Sequence, residues 1–145
     1  MKRMIAIWVL TFLSCLVEAG QLKTDDGYEI QYNALHTQSL PAQMAHAYQV
    51  VRSKTRGILT VSVLKIDEKP QLLNKSVPAQ VTAQAINLNN QLKTLDMRIV
   101  QEGNAIYHIG EFSFSNEESL TFTLHVVPEK GKARDISFTQ QFFVD

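Results

Sequence analysis

The chain has 145 residues, 45% of them hydrophobic, with 14 Lys and Arg against 14 Asp and Glu and a formal net charge of zero. That length supports one self-sufficient core, and the balanced charge excludes a basic nucleic-acid or anionic-membrane binder. A single cysteine excludes a disulfide-stapled scaffold.

The first residues read MKRMIAIWVLTFLSCLVEAG, with Lys2 and Arg3 ahead of an apolar run from Met4 to Leu16 and small residues at Val17 and Ala19. This order predicts a secretory signal peptide over residues 1–19, cut between Ala19 and Gly20. The run is shorter than the about 20 apolar residues of a membrane-spanning helix, so no transmembrane helix is expected in the mature chain. Phe12-Leu13-Ser14-Cys15 loosely resembles a bacterial lipid-attachment box. The apolar run continues through Leu16 and Val17, however, so Cys15 is expected to be discarded unlipidated. Loss of Lys2, Arg3 and Glu18 leaves the mature chain, residues 20–145, with one net negative charge and no cysteine. Packing alone then holds this single domain together.

Residues 20–27 (GQLKTDDG) are polar and glycine-bounded, which predicts a loose N-terminal lead. Tyr28, Ile30, Tyr32 and Ala34 alternate with Glu29, Gln31 and Asn33, the period of a half-buried strand. From Ser39 to Tyr48 the period breaks. Alanine-rich sequence with Pro41 near its start predicts a helix of about two turns, capped by Ser39 or Leu40. Strand chemistry returns at residues 58–66 (ILTVSVLKI) and stops at Asp67-Glu68-Lys69-Pro70. Further strands are expected at 77–88, 92–100, 105–114, 120–126 and 136–144, separated by turn residues at Asn89-Asn90, Gly103-Asn104, 115–119 and 128–133. Seven short strands and one helix predict an all-β fold, an immunoglobulin-like β-sandwich without the Cys, Trp, Cys framework of antibody domains. A small β-barrel is the alternative.

Four histidines remain after export, at positions 36, 46, 108 and 125, without the i, i+2 or i, i+4 spacing of a metal motif. A hairpin joining 105–114 to 120–126 would set His108 opposite His125 in one register. Pairing Phe114 with Leu120 and Phe112 with Phe122 selects the register one residue away, which sends His108 inward and His125 outward. No metal site is expected, and these two histidines are the pair to test. Arg52, Lys54 and Arg56 alternate, so on extended chain they would project from one face, beside Tyr48 at the helix end. Such a stripe would dock an anionic or carboxylate-rich partner, or serve as a charged edge that discourages strand pairing. There is no thiol in the mature chain and no Gly-x-Ser-x-Gly elbow. The acidic pairs Asp25-Asp26, Asp67-Glu68 and Glu117-Glu118 all fall in expected loops. No catalytic residue and no cofactor is assigned. Asn74-Lys75-Ser76 matches the glycosylation triplet, which matters only in a eukaryotic secretory pathway.

The segments from Tyr28 to Leu35 (YEIQYNAL), Ala47 to Lys54 (AYQVVRSK), Glu102 to Phe112 (EGNAIYHIGEF) and Phe138 to Phe143 (FTQQFF) resemble a proteobacterial family of exported proteins, the domain of unknown function 4426. The similarity spans nearly the whole mature chain in order and spacing. It implies a small periplasmic protein of a Gram-negative bacterium. Members of that family usually carry tyrosine where His108 stands, which implies a packing role there. The family brings no activity or ligand to carry over. The expected function is a non-catalytic binding or envelope-assembly module that holds a periplasmic protein or envelope component. Its expected surface is the short helix with Tyr48, Arg52, Lys54 and Arg56. A periplasmic metal or small-ligand carrier is the alternative, and an enzyme ranks below both.

Overall fold

The computed structural model describes residues 20–66 and 75–144. The expected signal segment with Cys15, and the strand stop at 67–70, lie outside these residues. Among the described residues ten strands, all antiparallel, form two sheets. They are β1 (Gly20–Lys23), β2 (Tyr28–His36), β3 (Arg56–Lys65), β4 (Lys75–Ser76), β5 (Ala79–Asn87), β6 (Leu92–Leu95), β7 (Arg98–Glu102), β8 (Ala105–Ser113), β9 (Glu118–Pro128) and β10 (Arg134–Phe142). One helix, α1 (Ala42–Ala47), follows a single 3-10 turn at Thr37–Ser39.

The first sheet runs β1-β2-β3-β8-β7, with β4 also paired to β3, and the second runs β10-β9-β5-β6. The order β2-β3-β8-β7 facing β10-β9-β5 is the A-B-E-D and G-F-C arrangement of an immunoglobulin-like sandwich, with β6 added at one edge. The two sheets do not close into a barrel.

Alternation builds the core between the sheets. Ile30, Leu59, Val61, Val63, Leu120, Phe122, Leu124, Val126 and Phe142 are completely or almost completely buried there. Phenylalanines supply its centre. Phe112 lies 5.0 Å from Phe122 and 5.2 Å from Phe142, and Phe122 stacks on Phe138 at 5.0 Å. Full burial of a ring such as Phe122 or Phe142 stabilises the fold by roughly 1.5–3 kcal/mol. Gly57 pairs with Phe112 across β3 and β8, and a Cβ there would run into the Phe112 ring, so only glycine lets the ring lie flat over the strand.

One flank is closed by side chains that tie β10 to the β1–β2 hairpin. Arg134 pairs with Asp25 and Asp26, and Asp26 accepts the Lys132 amide at 3.0 Å. Tyr28 donates to the Glu129 carbonyl at 2.8 Å, and Gln140 donates to the Ala34 carbonyl at 3.1 Å. β10 is thereby kept from offering a bare edge along its whole length.

Four expectations need correction. Residues 20–23 are not a loose lead but strand β1, paired from Gly20 opposite Tyr32 to Lys23 opposite Glu29. Residues 92–100 are two strands, because Asp96-Met97 carries the chain from the second sheet to the first. The helix is capped by Pro41, whereas Leu40 turns inward and is 6% exposed. β8 and β9 belong to different sheets, so no hairpin joins them and neither expected register exists. Phe112 and Phe122 do meet, but across the sandwich.

Candidate functional site

The connection between β2 and β3, residues 37–55, is folded back over the outer face of the first sheet instead of turning tightly. Along the strands of that sheet the residues opposite the main core include Leu35, Ile58, Ile109, Val100 and Tyr107. Leu40, Ala45, Tyr48 and Val50 settle on them as a second, smaller core. Three sets of hydrogen bonds fix the segment. At its start Thr37, fully buried, donates to the Ser53 carbonyl at 3.0 Å and accepts the Ser53 amide at 2.8 Å. At its far end the Tyr48 hydroxyl donates to Glu102 Oε2 at 2.8 Å, while Arg98 donates to the Tyr48 carbonyl at 2.6 Å. Burial, together with the Glu102 carboxylate that accepts its proton, pushes the Tyr48 phenol up to about 12. Gln49 then turns the chain with a left-handed φ of 56°. Arg52 closes the loop by donating to the Gln38 carbonyl at 2.9 Å.

The expected cationic stripe takes a different form. Residues 51–55 are irregular, with a turn at Lys54 and Thr55, so the alternation of Arg52, Lys54 and Arg56 does not set three cations on one extended face. Arg52 and Lys54 are exposed in the loop. Arg56 begins β3 and pairs with Glu111 at 3.9 Å, a carboxylate shared with Arg98 at 3.5 Å. The tyrosine at the helix end is buried beneath the segment, 9% exposed, and joins the strand surface with its ring 6.4 Å from that of Tyr107.

The histidines are dispersed. His36 holds the Phe143 carbonyl at 3.0 Å and packs edge-on against Phe114. His46 is exposed on α1. His108 is 3% exposed on the inward side of β8, its Nε2 without a partner among the described residues, and burial holds its imidazole below the ordinary range. His125 lies on the outer side of β9, with Nδ1 2.6 Å from Asp135 of β10. His108 inward and His125 outward are therefore as expected, though on separate sheets. Among the described residues no group of three or more His, Cys, Asp or Glu side chains is placed to hold a metal ion.

Beside the covered half of the sheet lies an open groove of about 400 Å³. Its floor is the uncovered part of β2 and β3, with Gln31, Asn33, Thr60 and Ser62, and its sides are Gln21 of β1 and Tyr107 of β8. Asn33 Oδ1 is covered by protein and has no hydrogen-bond partner among the described residues. Gly20 lines one end, opposite Tyr32, where a Cβ would collide with the Tyr32 ring. Sequence reasoning missed this groove. Gln31 and Asn33 read as the solvated half of an alternating strand, and nothing in the sequence sets Gln21 of β1 and Tyr107 of β8 on either side of them.

With this geometry in view, comparison places the chain. The family profile of Domain of unknown function (DUF4426) matches residues 22–145, so the chain belongs to that family. A crystal structure of a DUF4426 family protein from Pseudomonas aeruginosa PAO1 is similar over 88% of this chain and 96% of that one, with 29% sequence identity and a TM-score of 0.73. FetP of uropathogenic E. coli strain F11, expressed in the periplasm of E. coli, shares the fold at a TM-score of 0.59 over 88% of this chain and 95% of that one, with 11% identity. No curated protein sequence matches. Among the described residues no helix is long and apolar enough to cross a membrane.

Proposed function

We propose that the mature chain is a non-catalytic binding module of the periplasm, and that it engages a partner or envelope component with the outer face of its first sheet. The observation that carries this reading is the connection over residues 37–55. A sandwich needs only a short turn between its first two long strands. Here the chain instead builds a helix, a second core and a latch of hydrogen bonds on the sheet face, leaving a groove along one side. Long ordered connections on a rigid scaffold are where sandwich proteins carry recognition. The groove lining is neutral and the loop beside α1 presents Arg52 and Lys54, an arrangement suited to holding a ligand and not to moving protons. The export signal over residues 1–19 and the periplasmic production of the FetP neighbour support the compartment.

Affinity capture from envelope extracts tests the face. Wild type is compared with Arg52, Lys54 and Arg56 all changed to Ala, and with Gln31→Ala in the groove. Loss of the same captured component in either variant is expected, and identical captured sets would remove this face from the reading. N-terminal sequencing of the exported protein is expected to begin at Gly20. A start at Cys15 would replace a free periplasmic protein with a lipid-anchored one.

A further inference from the structure

The groove lining narrows the ligand. Gln21, Gln31 and Asn33 each bring an amide that donates and accepts, Thr60 and Ser62 bring hydroxyls, and Tyr107 brings an aromatic ring with a phenol. No Lys, Arg, His, Asp or Glu is among the residues that form it. Asn33 Oδ1 is the one side-chain oxygen among the described residues that is buried with no hydrogen bond. The Thr60 hydroxyl does not relieve it, since it turns to the Asn33 backbone carbonyl at 3.4 Å.

Resting on the reading of this face as the binding face, we propose that the groove is a subsite for a neutral saccharide of one or two rings. Three classes of ligand compete for such a lining. An apolar ligand would strand several amide and hydroxyl groups, each at a cost of about 1–3 kcal/mol when desolvated and unpaired. A phosphate or carboxylate would meet acceptor oxygens with no cation in the lining to offset its charge. A polyhydroxyl ring satisfies both requirements, because every hydroxyl donates and accepts and the C–H face of the ring lies against an aromatic side chain. Asn33 Oδ1 itself is covered by protein, so the contacts to such a ring fall to the exposed amides of Gln21 and Gln31 and the half-buried hydroxyls of Thr60 and Ser62. The volume, about 400 Å³, falls toward the small end of the range of roughly 300–1,000 Å³ for small-molecule sites. A shallow, preformed site of this kind gives millimolar affinity for an isolated sugar, and becomes useful on a polymer that presents many copies.

Titration of the mature protein followed by amide NMR shifts decides it, with N,N′-diacetylchitobiose, maltose and inorganic phosphate as probes. At least one disaccharide is expected to move the amides of residues 31–33 and 60–62 and of Tyr107, while phosphate leaves them in place. Gln31→Ala, an exposed change that leaves the sandwich core intact, is expected to raise the Kd about threefold to tenfold, the effect of one lost hydrogen bond. Silence toward both disaccharides up to roughly 50 mM, where a Kd of about 10 mM would register, overturns the proposal. So do shifts confined to the second sheet, or a stronger response to phosphate than to sugar. If sugars fail while envelope capture still depends on Gln31 or the Arg52–Arg56 loop, the saccharide falls and the binding face stands. If sugars bind the groove while capture is indifferent to it, the saccharide stands alone.

Discussion

The two cores of this molecule are built by different means. Between the sheets, shape and apolar area suffice. Phe112, Phe122, Phe138 and Phe142 pack ring against ring, with aliphatic side chains of both sheets around them. Under α1 the apolar area is small, and polar latches complete it: Thr37 with Ser53, Tyr48 with Glu102, and Arg98 with the Tyr48 carbonyl. A six-residue helix is far below the length that holds itself together in water. The helical segment therefore exists because the sheet beneath it exists, and not the reverse. The first core sets whether the chain folds, and the second sets whether part of the outer face of the first sheet is covered.

The hardest way to break that division is to hollow the first core. Phe122→Ala removes a fully buried ring with neighbours on both sheets, and should cost about 3–5 kcal/mol in chemical denaturation, a large share of the stability of a domain this size. Its loss should be global, with α1 and the strands melting together. A smaller and more local effect is expected at the latch. Tyr48→Phe keeps the ring over Tyr107 but deletes the hydrogen bond to Glu102, for about 1 kcal/mol or less of global stability. Hydrogen exchange should then speed up over residues 42–50 while the amides of β9 keep their protection. If both regions lose protection equally, the segment is part of the main cooperative unit and the distinction between the cores fails.

The same division explains what was legible in the sequence. Period-two alternation at Tyr28 to Ala34, Val81 to Ala85 and Leu120 to Val126 marks the main core directly, because one side of each strand must face it. The sheet to which a strand belongs leaves no such mark. Leu92 to Val100 reads as one continuous strand although the chain changes sheets at Asp96-Met97. Phe112 and Phe122 read as hairpin neighbours, although they meet edge to face from opposite sheets. β1 was hidden for a related reason. Its four residues pair by backbone with β2, and GQLK brings only Leu22 to the core and a glycine that admits the Tyr32 ring, too little for a readable apolar period. The groove is one step further from the sequence, since it arises where β1 and Tyr107 of β8 flank an ordinary polar strand face of β2 and β3.

The smallest expected effect concerns the rim of the main core. His108 sits on its inward side at the start of β8, and burial depresses its imidazole below the ordinary value of about 6.5. A base whose folded value is depressed binds its proton more readily in the unfolded chain, so acid favours unfolding. The stability tied to neutral His108 is complete above about pH 6.5 and is lost as the pH falls through the folded value. The carboxylates act lower. Hydrogen bonds from Thr24 and from the Lys132 amide hold Asp26 at about 2, so its contribution is complete above about pH 4 and is lost on approach to 2. The two windows are separable. His108→Leu should flatten the stability profile below about pH 6.5, where the unfolded imidazole begins to take up its proton, and leave the loss tied to Asp26 on approach to 2 unchanged. Parallel profiles for wild type and variant over the upper window would mean that the buried imidazole finds solvent or a partner in solution. The inward rim of β8 would then be wetter than the core it borders.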